Sequence, residues 1–184
     1  MMKLHRIFIA INLPEGIKTK LLEYRNKWPE LPARWTTKEN LHLTLAFLGN
    51  TSNRELAEVC ALLKRAGERH SPFSLAFTKI AYGPDAKRPK MIWAVGEKSA
   101  ELLALQKDIQ KTAGLETNQP FSPHLTLARL KMFELQRIEL EELPEVNEDI
   151  SISFEINSIE VMESQLKRSG SQYTILQSIP LKNN

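Results

Sequence analysis

The chain is short of cysteine, of net charge and of long apolar runs, and each shortage closes off a class of protein. One cysteine, Cys60, in 184 residues excludes an internal disulfide and any zinc site built from cysteines. It lies in Leu56-Ala57-Glu58-Val59-Cys60-Ala61-Leu62-Leu63, where 56, 59, 60 and 63 share one helical face, so a buried structural thiol is expected. No stretch reaches the roughly 20 apolar residues that span a bilayer, so no membrane association is expected. Near the N-terminus Asn12 and Pro14 cut short the run Ile7-Phe8-Ile9-Ala10-Ile11, and no small-residue cleavage site follows. A cytoplasmic protein is the expectation. Ten prolines and seven glycines are dispersed, leaving no low-complexity segment. A formal charge of +3 permits an anionic ligand without demanding one.

What is present is a unit written twice. The pentapeptides His42-Leu43-Thr44-Leu45-Ala46 and His124-Leu125-Thr126-Leu127-Ala128 match letter for letter, 82 residues apart, and Leu48 and Leu130 extend the match. Alternation of polar and apolar residues marks both as strands. Ahead of the first stand a strand, Arg6 to Asn12, and a helical stretch from about Pro14 to Trp28. Ahead of the second stand Met91 to Val95 and a helix from about Ser99 to Ala113, with Gly114 placed as its C-terminal cap. Ser52 and Glu55 form a capping box that opens a helix to about Arg69, followed by a strand from Phe73 to Tyr82. After the second repeat a weaker helical signal runs from Phe133 to Leu143, then strands from Ile150 to Met162 and Gln172 to Ile179.

The spacing predicts a single bilobal α+β domain over 1–184. It would be a pseudo-twofold duplication with repeats at about 5–82 and 89–163, completed by a C-terminal strand at 171–181. Two mainly antiparallel sheets, helices on their outer faces, would flank a central cleft with one histidine strand on each wall.

Strand parity places His42, Thr44 and Ala46 on one face and Leu41, Leu43, Leu45 and Phe47 on the other. The second motif divides in the same way. Unpaired buried polar groups are costly, so the histidine–threonine face is expected to be open or lined with polar partners. These groups suit a phosphodiester. Histidine, with an unperturbed pKa of about 6.5, both takes and gives protons near neutral pH. Threonine hydroxyls donate hydrogen bonds to phosphoryl oxygens as their charge grows. Neither histidine pentapeptide contains a carboxylate, which tells against a two-metal nuclease, and His5 and His70 lack ligand spacing. No metal or cofactor is expected. A purely structural strand is the competing reading, but packing alone would preserve the leucines before the histidines.

At these residues the chain resembles the 2H phosphoesterase superfamily, named for two H-x-[ST]-x motifs, and within it the RNA 2′,3′-cyclic phosphodiesterases, also called 2′-5′ RNA ligases. The resemblance covers nearly the whole chain. It includes Arg6 to Pro14, Trp35 with Glu39 to Gly49, Pro120 to Arg129, and the tail Met162-Glu163-Ser164 with Leu166, Gly170 and Tyr173. It implies metal-independent hydrolysis of an RNA 2′,3′-cyclic phosphate to a 2′-phosphomonoester, with weak 2′-5′ joining of RNA ends. It implies His42 as proton donor, His124 as proton acceptor, and Thr44 and Thr126 as phosphate-binding. Alternatives are a relative acting on small cyclic nucleotides or 2′-5′ oligoadenylates, or a non-catalytic RNA-binding module.

Further candidates are less specific. Arg129 suits a phosphate ligand, but its parity is opposite to His124, so it reaches the cleft only where the strand bends. Phe8 and, by the repeat, Trp93 fall on the cleft side and are candidates for stacking on bases, the competing reading being cover for the lobe interface. Lys87-Arg88-Pro89-Lys90 and Lys167-Arg168 sit in expected turns, where an RNA backbone or plain solvent would suit them. A monomer is expected.

Overall fold

A computed structural model of the chain describes residues 4–115, 120–139, 142–168 and 170–182. Its elements follow the repeated pattern. They are β1 (Leu4–Asn12), α1 (Glu15–Glu23), β2 (Ala33–Trp35), β3 (His42–Ser52), α2 (Asn53–Gly67), β4 (Phe73–Gly83), β5 (Met91–Gly96), α3 (Ala100–Thr112), β6 (His124–Leu130), α4 (Met132–Leu135), β7 (Asn147–Ile156), β8 (Ser158–Lys167) and β9 (Gly170–Pro180).

Local chemistry sets the helix ends. The Ser52 hydroxyl accepts from the Glu55 amide while the Glu55 carboxylate accepts from the Ser52 amide, a complete capping box. Ser99 caps α3 through the Leu102 amide at 3.1 Å. Gly114, at φ 67°, turns the chain out of α3. α1 is shorter than its sequence pattern: after Glu23 it tightens into a 3-10 turn, Tyr24–Lys27. The expected helix from Phe133 to Leu143 is a single turn, α4, and residues 140 and 141 lie outside the described residues.

The strands order as β7-β4-β5-β6-β3-β1-β8-β9, with β2 beside β6. This order is symmetric about the junction of β6 and β3. Among the described residues the two expected sheets are the two halves of one nine-stranded sheet, joined at the centre by Leu43 opposite Leu125. Each half draws strands from both repeats. β4, which ends the first repeat, pairs with β5 and β7, and β8 pairs with β1. The expected strand from Ile150 to Met162 is therefore two strands that break at Asn157 and serve opposite halves.

One face of the sheet is apolar. Ile7, Ile9 and Ile11 join Leu43, Leu125 and Leu127 in the main core with Leu63 of α2 and Leu102, Leu105 and Ile109 of α3. Phe8, Ala10 and Met162 form a separate small cluster on the opposite face, with Tyr173 packed on it. The alternation in β1 thus feeds two surfaces, as its parity requires.

Candidate active site

The central pair of strands determines what can meet. β3 and β6 run antiparallel about Leu43 and Leu125. His42 is therefore set beside Thr126, and Thr44 beside His124, across the line where the halves meet. All four side chains are half-buried.

Each histidine is oriented by its own main chain. Nδ1 of His42 lies 2.7 Å from the Asn40 carbonyl, and Nδ1 of His124 lies 2.7 Å from the Ser122 carbonyl. A carbonyl only accepts, so Nδ1 carries the proton in both rings and Nε2 is the end available for chemistry. Nε2 of His42 accepts from the Thr44 hydroxyl at 3.1 Å.

Aromatic rings hold the imidazoles from the side. Trp93 stacks on His124 with ring centroids 3.8 Å apart and planes 22° apart. Phe8 tilts against His42 at 4.9 Å, and Tyr173 meets His42 edge-on at 5.0 Å. The register corrects the expected equivalence of Trp93 and Phe8. Trp93 pairs with Thr126 as Ala10 pairs with Thr44, so Trp93 stands in the place of Ala10, and Met91 in that of Phe8. The expectation that both rings offer a face to bases also changes. Phe8 is 2% exposed beneath His42, Phe47 and Tyr173. The indole of Trp93 lies between His124 and Gly83, where an added Cβ would fall 2.3 Å from the ring-fusion carbon.

Bulges place the remaining groups. Ile9 faces Ala46 and Ala10 faces Thr44, so Leu45 is an extra residue in β3; Leu127 is likewise extra in β6. Parity reverses beyond each bulge. Ala46 and Ala128, expected on the histidine face, are buried in the core. Phe47, expected on the core face, is 68% exposed, with its ring 6.0 Å from Phe8. Arg129 turns to the side of Thr126: its guanidinium and the Thr126 hydroxyl both approach the Met91 sulfur, at 3.5 and 3.8 Å. The bend that Arg129 needed is the bulge.

Burial holds both imidazoles below the usual histidine value, opposed by the hydrogen bonds to Asn40 and Ser122. The charges of Arg129, His124 and Lys18 lower His42 further. Both shifts favour the neutral ring. Among the described residues no group of three or more His, Cys, Asp or Glu side chains could hold a metal ion. The other histidines are engaged elsewhere: His5 with Glu163 at 2.6 Å and His70 with Asp108 at 3.0 Å.

A family model described as the 2′-5′ RNA ligase superfamily matches residues 18–168. The chain belongs to that superfamily. Among curated relatives, it is 28% identical to an RNA 2′,3′-cyclic phosphodiesterase of Aquifex aeolicus, covering 98% of this chain and 99% of the other. It is 28% identical to one of Thermus thermophilus, covering 96% and 90%. Among solved structures it is similar to a protein of Thermus thermophilus, with a TM-score of 0.82 at 28% identity, covering 96% and 97%. It is also similar to E. coli LigT in complex with 3′-AMP, with a TM-score of 0.79 at 25% identity, covering 98% and 100%. Superfamily membership bears out the resemblance read from the paired motifs. No helix among the described residues is long and apolar enough to cross a membrane.

Two residues that sequence reasoning did not single out complete the site. The Asn40 side chain donates to the Ser171 carbonyl at 2.8 Å and accepts from the Tyr173 amide at 3.2 Å. It therefore ties β9 to the residue that orients His42. Asn40 and Tyr173 both lie in the family-like segments, which was the only signal for them.

Proposed function

We propose that the chain hydrolyses the 2′,3′-cyclic phosphate at an RNA end to a 2′-phosphomonoester, without a metal. The observation that carries this reading is the crosswise pairing of His42 with Thr126 and His124 with Thr44 around one junction. The pairing supports a proton acceptor and a proton donor on adjacent strands with a hydroxyl beside each, an arrangement suited to in-line displacement at phosphorus. The names of the curated relatives support the substrate.

In this reading His124 takes a proton from water through Nε2 as the water oxygen bonds to phosphorus. The bond from phosphorus to the 3′ oxygen breaks, and His42 gives that oxygen a proton. The products are a 2′-phosphate and a free 3′ hydroxyl. The resemblance supplies the donor and acceptor roles. Thr44 and Thr126 donate to the non-bridging oxygens, and Arg129 adds positive charge on their face. His42 must first gain the proton it donates. A bound phosphate anion offsets the charge of Arg129, one cause of the low value of His42, and so favours protonation. The Thr44 hydroxyl is then released from Nε2 to the phosphate. Phe8 and Trp93 act by holding the histidines, and Phe47 is the exposed ring that would stack on a base. Each chain carries both histidines, so a cytoplasmic monomer suffices.

A short RNA ending in a 2′,3′-cyclic phosphate, incubated with the protein in 18O water, tests this. The expected product is a phosphatase-sensitive 2′-phosphate carrying one 18O; unchanged RNA would contradict the proposal.

A further inference from the structure

The cleft holds an arrangement that chemistry at the histidines does not require. Arg34 in β2 and Arg129 in β6 are direct partners across antiparallel strands, so both side chains leave the sheet on one face. That is the face of Thr126, since Arg129 and Thr126 converge on Met91. The arrangement is confined from above. β8 pairs with β1 only from Glu160 to Glu163, whereas it stays paired with β9 out to Lys167 and Gly170. The hairpin tip therefore leaves the sheet and comes down on Arg34. An added Cβ on Gly170, which has φ 119°, would lie 2.3 Å from a guanidinium nitrogen of Arg34. Arg34 and Arg129 thus share the face of Thr126, the guanidinium of Arg129 against the Met91 sulfur and that of Arg34 against main chain. A planar guanidinium fork matches phosphate oxygens, and each of the two can grip a phosphate from this face.

We infer that Arg34 and Arg129 together hold the phosphate preceding the reacting cyclic phosphate, so that the cleft is built for an RNA of two or more nucleotides rather than a cyclic mononucleotide. This rests on the cyclic-phosphate reading given above. Arg129 follows Thr126 by three residues, one of which the bulge takes up. At about 3.4 Å per residue the arginine pair lies roughly one nucleotide along from the phosphate that the threonines hold. The exposed Lys167 and Arg168 of the same hairpin extend the positive charge outward.

The test compares a dinucleotide and a mononucleotide, each with a 2′,3′-cyclic phosphate, in the wild type, Arg34→Gln and Arg34→Lys. In Arg34→Gln the ratio of kcat/KM, dinucleotide over mononucleotide, is expected to fall roughly tenfold, the worth of a charge-assisted hydrogen bond. The loss should be carried by KM and be partly restored by lysine. The slope of log kcat/KM against log salt for the dinucleotide should shrink by about 0.7. An unchanged ratio overturns the inference, and so does an equal loss on both substrates, which would place Arg34 at the reacting phosphate or in the fold. Equilibrium titration with the matching 2′-phosphorylated dinucleotide and mononucleotide decides the same question without turnover. A wild type that binds the dinucleotide more tightly in an Arg34-dependent way but hydrolyses neither substrate would retain this inference and sink the proposed reaction. Equal affinity for the two, or an advantage that survives Arg34→Gln, would overturn it.

Discussion

Trp93 lies flat on His124, ring centroids 3.8 Å apart, and Gly83 backs the indole at a distance that leaves no room for a Cβ. The orientation of one imidazole thus depends on a glycine two strands away. Gly83→Ala should displace Trp93 and lower kcat about tenfold or more, since small misplacements of a proton-transfer group are costly. Trp93→Phe, which keeps a stacking ring, should lose much less. Steady-state kinetics on cyclic-phosphate RNA distinguishes these, and equal losses would contradict the account.

Asn40 joins two parts of the site. Its carbonyl accepts from His42 and its side chain bonds Ser171 and Tyr173 of β9. Asn40→Ala leaves the carbonyl but frees the start of β9, and with it the Tyr173 edge that meets His42 at 5.0 Å. Activity should fall several-fold while Tm drops by only a few degrees, the effect of losing about 1–2 kcal/mol of hydrogen bonding. Amide exchange at Tyr173 should quicken. Exchange unchanged from the wild type would contradict the tie.

The pH dependence follows from burial. Both histidines are held below the ordinary value near 6.5. In the free protein the form with one ring protonated and one neutral peaks between the two lowered values. The maximum of kcat/KM should therefore fall below about pH 6.5. The optimum of kcat should lie higher, because the bound anion raises His42. A kcat/KM still rising through pH 8 would contradict this.

Stability carries the same sign. The unfolded chain binds protons on His42 and His124 near pH 6.5, before the folded chain does. The stability these residues contribute is complete above that pH and is lost as pH falls toward their lowered folded values. Tm should decline between pH 7.5 and 5.5, and the double variant His42→Gln, His124→Gln should flatten that decline. The same slope in both proteins would contradict the assignment.

Phe47 stands 68% exposed on the histidine side of β3. Phe47→Ala should raise KM for RNA several-fold, a stacking contact being worth roughly 1–3 kcal/mol, with little change in Tm. An unchanged KM would remove Phe47 from the substrate site.

Much of this was legible in the sequence, for local reasons. The identical pentapeptides marked both histidine strands, and Ser52, Ser99 and Gly114 marked helix ends, because caps act within a few residues. What parity alone could not see were the bulges at Leu45 and Leu127. Each inserts one residue and reverses the side chains that follow, in β3 as far as a second bulge at Leu48, which sends Ala46 and Ala128 into the core and brings Phe47 and Arg129 out. The exchange of β4 and β8 between halves was also hidden, since pairing partners more than 60 residues apart leave no local trace. Arg34, Asn40 and Tyr173 gain their meaning only from the strands that meet them.

The central claim is that His42 and His124 act as one acid–base unit that needs no metal. Its most direct test is kcat/KM on cyclic-phosphate RNA in excess EDTA for the wild type, His42→Ala, His124→Ala and the double variant. EDTA should leave the wild type unaffected. Each single variant should lose at least about 10²-fold, and the double variant little more than the worse single one, because groups that act together are not additive. Loss of wild-type activity in EDTA, or single losses that are small and multiply in the double variant, would contradict it.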